Sequence, residues 1–143
     1  MTDVSFDAIA PGLAGEYSLI VTQANTATHL GSGGVEVLAT PEMVCMMERA
    51  AVAACDHLLP DGYRTVGIHV DVSHLAATPV GMRAIARAEL TAVEGRKLTF
   101  RIEARDEREL IGQGIHQRMV VSVERFASKV EAKRTCQKRP AML

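Results

Sequence analysis

The sequence predicts an α+β fold in which one antiparallel β-sheet wraps a single long α-helix. Three observations carry the prediction. One helix-forming stretch is apolar on most sides, four long alternating strands follow it, and hairpin signals separate several of those strands.

In chain order, "GEYSLIVTQ" (Gly15–Gln23) is rich in β-formers and is expected to be the first strand. "THLGSGGVEVL" is a glycine-rich loop or short strand. It is not a phosphate loop, because the GK[ST] ending is missing. The helix is then expected over "TPEMVCMMERAAVAACDHLL", Thr40 to Leu59. Thr40 is its N-cap, Pro41 its first helical residue and Glu42 an acid in its first turn. Pro60 and Gly62 stop it.

The later strands each show one apolar face. In "GIHVDVSH", Ile68, Val70, Val72 and His74 fall together, opposite His69, Asp71 and Ser73. In "MRAIARAEL" the apolar set is Met82, Ala84, Ala86, Ala88 and Leu90. In "LTFRIEARDE" it is Leu98, Phe100, Ile102 and Ala104. "IHQRMVVSVERF" is expected to turn Ile115, Met119, Val121 and Val123 inward, opposite His116 and Arg118. "VEGRK" and "RDERE" are the hairpin turns. A sheet with one apolar face must bury that face, and a helix apolar on most sides is what it would curl around.

Residues 1–126 form one domain on this reading, and residues 127–143 a basic, partly disordered tail. From Ala127 onward there are five basic residues and one acid, which leaves residues 1–126 at −5 of the total −1. An acidic body and 3% aromatic content argue against a nucleic-acid partner. No apolar run approaches the ~20 residues that span a bilayer, and the acidic "MTDVSFDAIA" does not look like a secretory signal. Cys45, Cys55 and Cys136 form no CxxC. On one helix Cys45 and Cys55 would stand about 15 Å apart, too far to bridge. The expectation is a protein of the reducing cytoplasm. The five histidines are scattered with no metal-ligand spacing, so no metal is expected.

Three polar residues stand out against this pattern. Glu48 is a carboxylate in the middle of an otherwise apolar helix, and burying it unpaired would cost several kcal/mol. Thr40 lies eight residues before it on the same helical stripe. His74 ends an apolar strand face. Each has an ordinary reading alone: a solvent stripe for Glu48, an N-cap for Thr40, a satisfied structural imidazole for His74. Together, a hydroxyl, a carboxylate and an imidazole at the mouth of a curled sheet have the chemistry of acyl transfer, as base and as activator of water or hydroxyl.

The segments "EVLATPEMVCMMERAA", "VGIHVDVSHLAATPVG", "AELTAVEGRKLTFRIEA" and "IGQGIHQRMVVSVERF" resemble the fluoroacetyl-CoA thioesterase family of hot-dog fold acyl-CoA thioesterases, over roughly residues 15–130. The resemblance implies a thioester hydrolase with Thr40, Glu48 and His74 as its catalytic set and with Gly67 and Arg118 touching substrate. It implies no cofactor, since coenzyme A belongs to the acyl-CoA substrate. It also implies a homodimer, or a higher assembly of dimers. The family's fluoroacetyl-specific enzyme carries phenylalanines before the helix. Here "GSGGVEV" aligns Gly31 and Gly34 with those rings, so the acyl pocket is expected to be open and hydrolysis to favour short or medium acyl chains without fluoroacetyl selectivity. The alternative from another class is a non-catalytic acyl-CoA-binding module. A hydratase on the same fold would need an Asp-x-Asn-Pro-x-His motif, which is absent.

Overall fold

Apolar alternation in five segments produces five antiparallel strands, and the computed structural model describes them within residues 5–135. The strands are β1 (Ala14–Ile20), β2 (Tyr63–His74), β3 (Arg83–Glu94), β4 (Lys97–Asp106) and β5 (Leu110–Ser122). They form one sheet in the order β1-β3-β4-β5-β2, so β1 and β2 are its two edges. A one-turn helix α1 (Ala27–Leu30) and the helix α2 (Thr40–Cys55) lie between β1 and β2.

The β3 and β4 faces read from the sequence are the inner faces. Ala84, Ala86, Ala88 and Leu90 pack beside Leu98, Phe100, Ile102 and Ala104, and all eight are buried. The runs of alanine on β3 let α2 approach closely, with Met43, Met46, Met47, Ala50, Ala51 and Ala54 buried against the sheet. The contacts of α2 fall mainly on β1 and β3. Gly15 marks the tightest crossing: a methyl there would meet the α2 backbone at Ala50 O and Ala54 N, both at 2.5 Å. Gly95, at φ +64°, makes the two-residue turn between β3 and β4 that "VEGRK" signals.

Several details differ from the sequence expectations. Thr40 is the first helical residue, not the N-cap. Ala39 holds the cap position without a side-chain bond, because the Thr40 hydroxyl is engaged elsewhere. The helix ends at Cys55, and a 3-10 turn, Asp56–Leu58, completes the stretch. On β2 the register slips between Gly67 and His69, so Ile68 bulges and Gly67 takes the inner position in line with Val70, Val72 and His74.

The β5 face is inverted. His116 pairs laterally with inward Phe100 and Arg118 with inward Leu98, so both polar residues lie inside, 0% and 6% exposed. Ile115, on the opposite face, is 42% exposed. Hydrophobicity alone favoured the other assignment. Hydrogen-bond partners for every polar group of His116 and Arg118 overturn it.

Beyond Ser122 the chain forms a third helix, α3 (Val123–Thr135), exposed along its whole length. The boundary expected between residues 126 and 127 therefore falls inside a helix, and residues 127–135 are helical. The rest of the basic tail and Cys136 lie outside the described residues. Among the described residues, no helix is long and apolar enough to cross a membrane, and no three His, Cys, Asp or Glu side chains gather as a metal site.

Candidate functional site

The five residues singled out by sequence fall into two groups. The first is the pair Thr40 and His74. The helix start and the end of β2 meet there, and Thr40 Oγ1 lies 2.7 Å from His74 Nδ1. His74 Nε2 is shielded from solvent and has no hydrogen-bond partner among the described residues. Burial lowers the pKa of His74 from its ordinary value, opposed by a backbone hydrogen bond at Ala76. The imidazole is therefore neutral near pH 7, with one nitrogen on a hydroxyl and the other free to act.

Both side chains line a cavity of about 360 Å³. The segment before α2 contributes Ala27, Ser32, Val37 and Leu38, and the chain after β2 contributes Leu75, Ala76 and Ala77. No aromatic residue is among them. Gly34 has open space where a side chain would be, and Gly31 has a left-handed backbone at φ +75°.

The second group is Glu48, Gly67 and Arg118. Glu48 lies two helical turns beyond Thr40, about 12 Å along the axis, and makes no hydrogen bond to Thr40 or His74. This corrects the expectation that the three groups stand together at one mouth of the sheet. Its side chain is 41% exposed, and its partner is Arg118, whose Nη1 lies 3.7 Å from Glu48 Oε2. Gly67 leaves room for the carboxylate, because a methyl there would sit 2.7 Å from Glu48 Oε2. Arg118 was expected on the outward face of its strand. It is instead a buried cation beside the carboxylate.

Three further residues hold Arg118 and escaped sequence reasoning. Arg118 Nε donates to Thr65 Oγ1 (2.8 Å) and Nη2 to the Thr65 carbonyl (3.1 Å). Thr65 Oγ1 donates in turn to Asp56 Oδ1 (2.6 Å), and Thr65 N–H to Asp56 Oδ2 (3.0 Å). His116 Nε2 lies 3.1 Å from Arg118 Nη1. Burial lowers the Arg118 pKa from its ordinary value, while Asp56 and then Glu48 oppose that shift. The pattern that could have exposed the network is the i, i+2 spacing of His116, Arg118 and Val120, a strand face of its own.

Chemically, the first group offers a hydroxyl–imidazole pair at a cavity. The second offers a carboxylate held beside a fixed cation. Both kinds of group serve in the addition of water or a hydroxyl to an acyl carbon.

Comparison with known proteins agrees with this chemistry. Residues 21–124 match the family model described as fluoroacetyl-CoA-specific thioesterase. A curated fluoroacetyl-CoA thioesterase from Streptantibioticus cattleyicolor is 44% identical over 98 residues, 68% of this chain and 70% of that protein. The solved structure of the fluoroacetyl-CoA thioesterase FlK superposes with a TM-score of 0.81 at 36% identity, over 92% of this chain and 98% of that one. A hot-dog-like protein from Thermanaerovibrio acidaminovorans, 24% identical, shares the fold with a TM-score of 0.84 over 92% of this chain and 97% of that one.

Proposed function

The chain belongs to the fluoroacetyl-CoA-specific thioesterase family and is a thioester hydrolase, and from that premise we propose that it cleaves short- or medium-chain acyl-CoA without selectivity for fluoroacetyl. In the reaction, water adds to the thioester carbonyl carbon and the carbon–sulfur bond breaks. The free acid forms and a proton ends on the CoA sulfur. Thr40, Glu48 and His74 are read as the catalytic set, with Gly67 and Arg118 beside the substrate. The observation that carries this reading is the Thr40–His74 pair, 2.7 Å apart on the wall of a cavity, with Nε2 unpartnered. The relative FlK has been solved with acetyl-CoA and with fluoroacetate and CoA, which supports an acyl-CoA ligand here.

The open acyl pocket is supported by a cavity lining with no Phe, Tyr or Trp and by glycines at positions 31 and 34. A rate comparison tests it. Fluoroacetyl-CoA and acetyl-CoA should give kcat/KM values within about tenfold of each other, the scale that small differences in apolar contact supply. Fluoroacetyl preference of several hundredfold or more would contradict the reading.

We also read α2 as the central helix of a homodimer in which β2 strands meet. Strand β2 is a free edge twelve residues long, with Ile68 47% and Val70 38% exposed. Long apolar edges are ordinarily covered. A dimer by sedimentation equilibrium is expected, and a stable monomer at micromolar concentration would contradict it. The free thiols Cys45 and Cys55 suit a reducing cytoplasm.

A further inference from the structure

His116 is fully buried beside the site, and no step of the proposed reaction uses it directly. Its hydrogen bonds fix its chemical state. Nδ1 lies 2.8 Å from the His69 carbonyl oxygen, which can only accept, so Nδ1 carries a proton. Nε2 lies 3.1 Å from Arg118 Nη1, and a guanidinium can only donate, so Nε2 must be the bare acceptor. The ring is thus neutral and locked in one tautomer. Phe100 stacks against it, with ring centroids 6.2 Å apart and an angle of 30° between the planes.

The protons of Arg118 can then be counted. Thr65 takes one from Nε and one from Nη2. His116 takes one of the two on Nη1, and Glu48 Oε2 lies 3.7 Å from the same nitrogen. The charged and titratable groups facing His116 are Arg118 on its own strand, Glu48 from α2 and His69 from β2, while Phe100 closes the β4 side.

We propose that His116, in its Nδ1–H form, is a positioning residue: by accepting from Arg118 Nη1 it holds the guanidinium plane so that the remaining Nη1 proton faces Glu48, and so fixes where that carboxylate stands. This rests on the thioesterase reading, in which Glu48 works at the thioester. A protonated His116 cannot do the same task, because its Nε2–H would confront the Arg118 N–H groups. Burial lowers the His116 pKa from its ordinary value, which keeps the accepting form in place.

Two variants and a spectroscopic readout test the proposal. His116→Phe keeps the ring against Phe100 and removes the acceptor. His116→Gln sets an amide oxygen where Nε2 was. With the Phe variant, kcat for thiol release should fall about tenfold or more while KM stays within about twofold, and the Gln variant should recover most of the lost kcat. Equal kcat in folded Phe and Gln variants would overturn the proposal. If the Phe variant does not fold, a Gln variant that loses as much as about a hundredfold overturns it.

Nitrogen-15 NMR of histidine-labelled wild type supplies the independent arm. His116 should show the neutral Nδ1–H pattern at pH 7, and an imidazolium or Nε2–H pattern overturns the proposal. Wild type that releases thiol from no acyl-CoA would sink the thioesterase reading instead. In that case the tautomer, with slow exchange of Arg118 Nη protons in wild type and in the Gln variant but not in the Phe variant, still decides the positioning claim.

Discussion

Replacing Gly67 with alanine separates the site from the fold that carries it. The backbone at Gly67 is not among the positive-φ glycines, so alanine adopts it without strain. The new methyl would lie 2.7 Å from Glu48 Oε2, 3.3 Å from His116 Cε1 and 3.4 Å from Arg118 Nη1. Ordinary contact begins near 3.4 Å, so the Glu48 carboxylate must retreat by about 0.7 Å while the other two need move little. The far end of a half-exposed glutamate moves at little cost, so stability should change by less than about 1 kcal/mol. Misplacement on the ångström scale at a reacting group costs about ten- to a hundredfold in rate. The assay pairs thermal unfolding with thiol release from acetyl-CoA. The expected result is a nearly unchanged Tm and a kcat lowered by that factor. Gly15→Ala is the contrasting control, because its methyl would meet the backbone of α2 and must destabilise the fold itself. A folded Gly67→Ala enzyme with wild-type kcat would refute the claim that the position of Glu48 matters to the chemistry.

The remaining predictions concern support and titration. Thr65→Val removes the acceptor of Arg118 Nε and the donor to Asp56 Oδ1. It should cost about 2 kcal/mol, seen as a Tm lower by roughly 4–8 °C, and an unchanged Tm would contradict the network. His74 and His116 both have folded pKa values below the ordinary histidine value, chiefly through burial. Their neutral forms therefore contribute stability that is fully present above the unfolded pKa of about 6.5 and is lost as pH falls through the folded values. Tm should be flat from pH 7 to 8 and decline on acidification, and thiol release should fall in the same direction. A rise in either toward acid would contradict this. Burial, with Asp56 adding to it, pushes the Cys55 thiol up to about 11. Iodoacetamide at pH 8 should leave Cys55 unmodified until the protein unfolds, as peptide mass mapping would show.

Much of this architecture is written in the chain. The alternation of β3 and β4 names their inner faces residue by residue, because every second side chain there is apolar and nothing competes. The α2 stretch is legible from Pro41, Glu42 and its wide apolar surface. Its true cap was hidden, because nothing local reveals that the Thr40 hydroxyl turns to His74, thirty-four residues away.

The β5 and β2 faces differ from expectation because contacts distant in the chain set them. Pattern reading ranks faces by hydrophobicity, but a polar residue faces inward at little cost where its hydrogen bonds are satisfied. On β5 that satisfaction comes from Thr65, the His69 carbonyl and Asp56, all from other parts of the chain. On β2 a one-residue bulge at Ile68 reverses the alternation, and this too is fixed by pairing with β5 and not by local sequence. Spacing and resemblance group Thr40, Glu48 and His74 as one set, and the geometry brings Thr40 to His74 while Glu48 stands apart. The pairing of Glu48 with Arg118 was not legible, because the pattern assigns Arg118 to the wrong face.

The measurement closest to the central claim is thiol release from acyl-CoAs of increasing chain length by wild type, Glu48→Gln and His74→Ala, with folding checked by circular dichroism. Loss of a positioned acid–base group costs about 10²–10⁴-fold, so wild type should turn over short or medium acyl-CoA and both folded variants should fall by that order. Wild-type rates in either variant would contradict the assignment of that residue. Tight acyl-CoA binding with no thiol release even by wild type would instead make this chain a binding module.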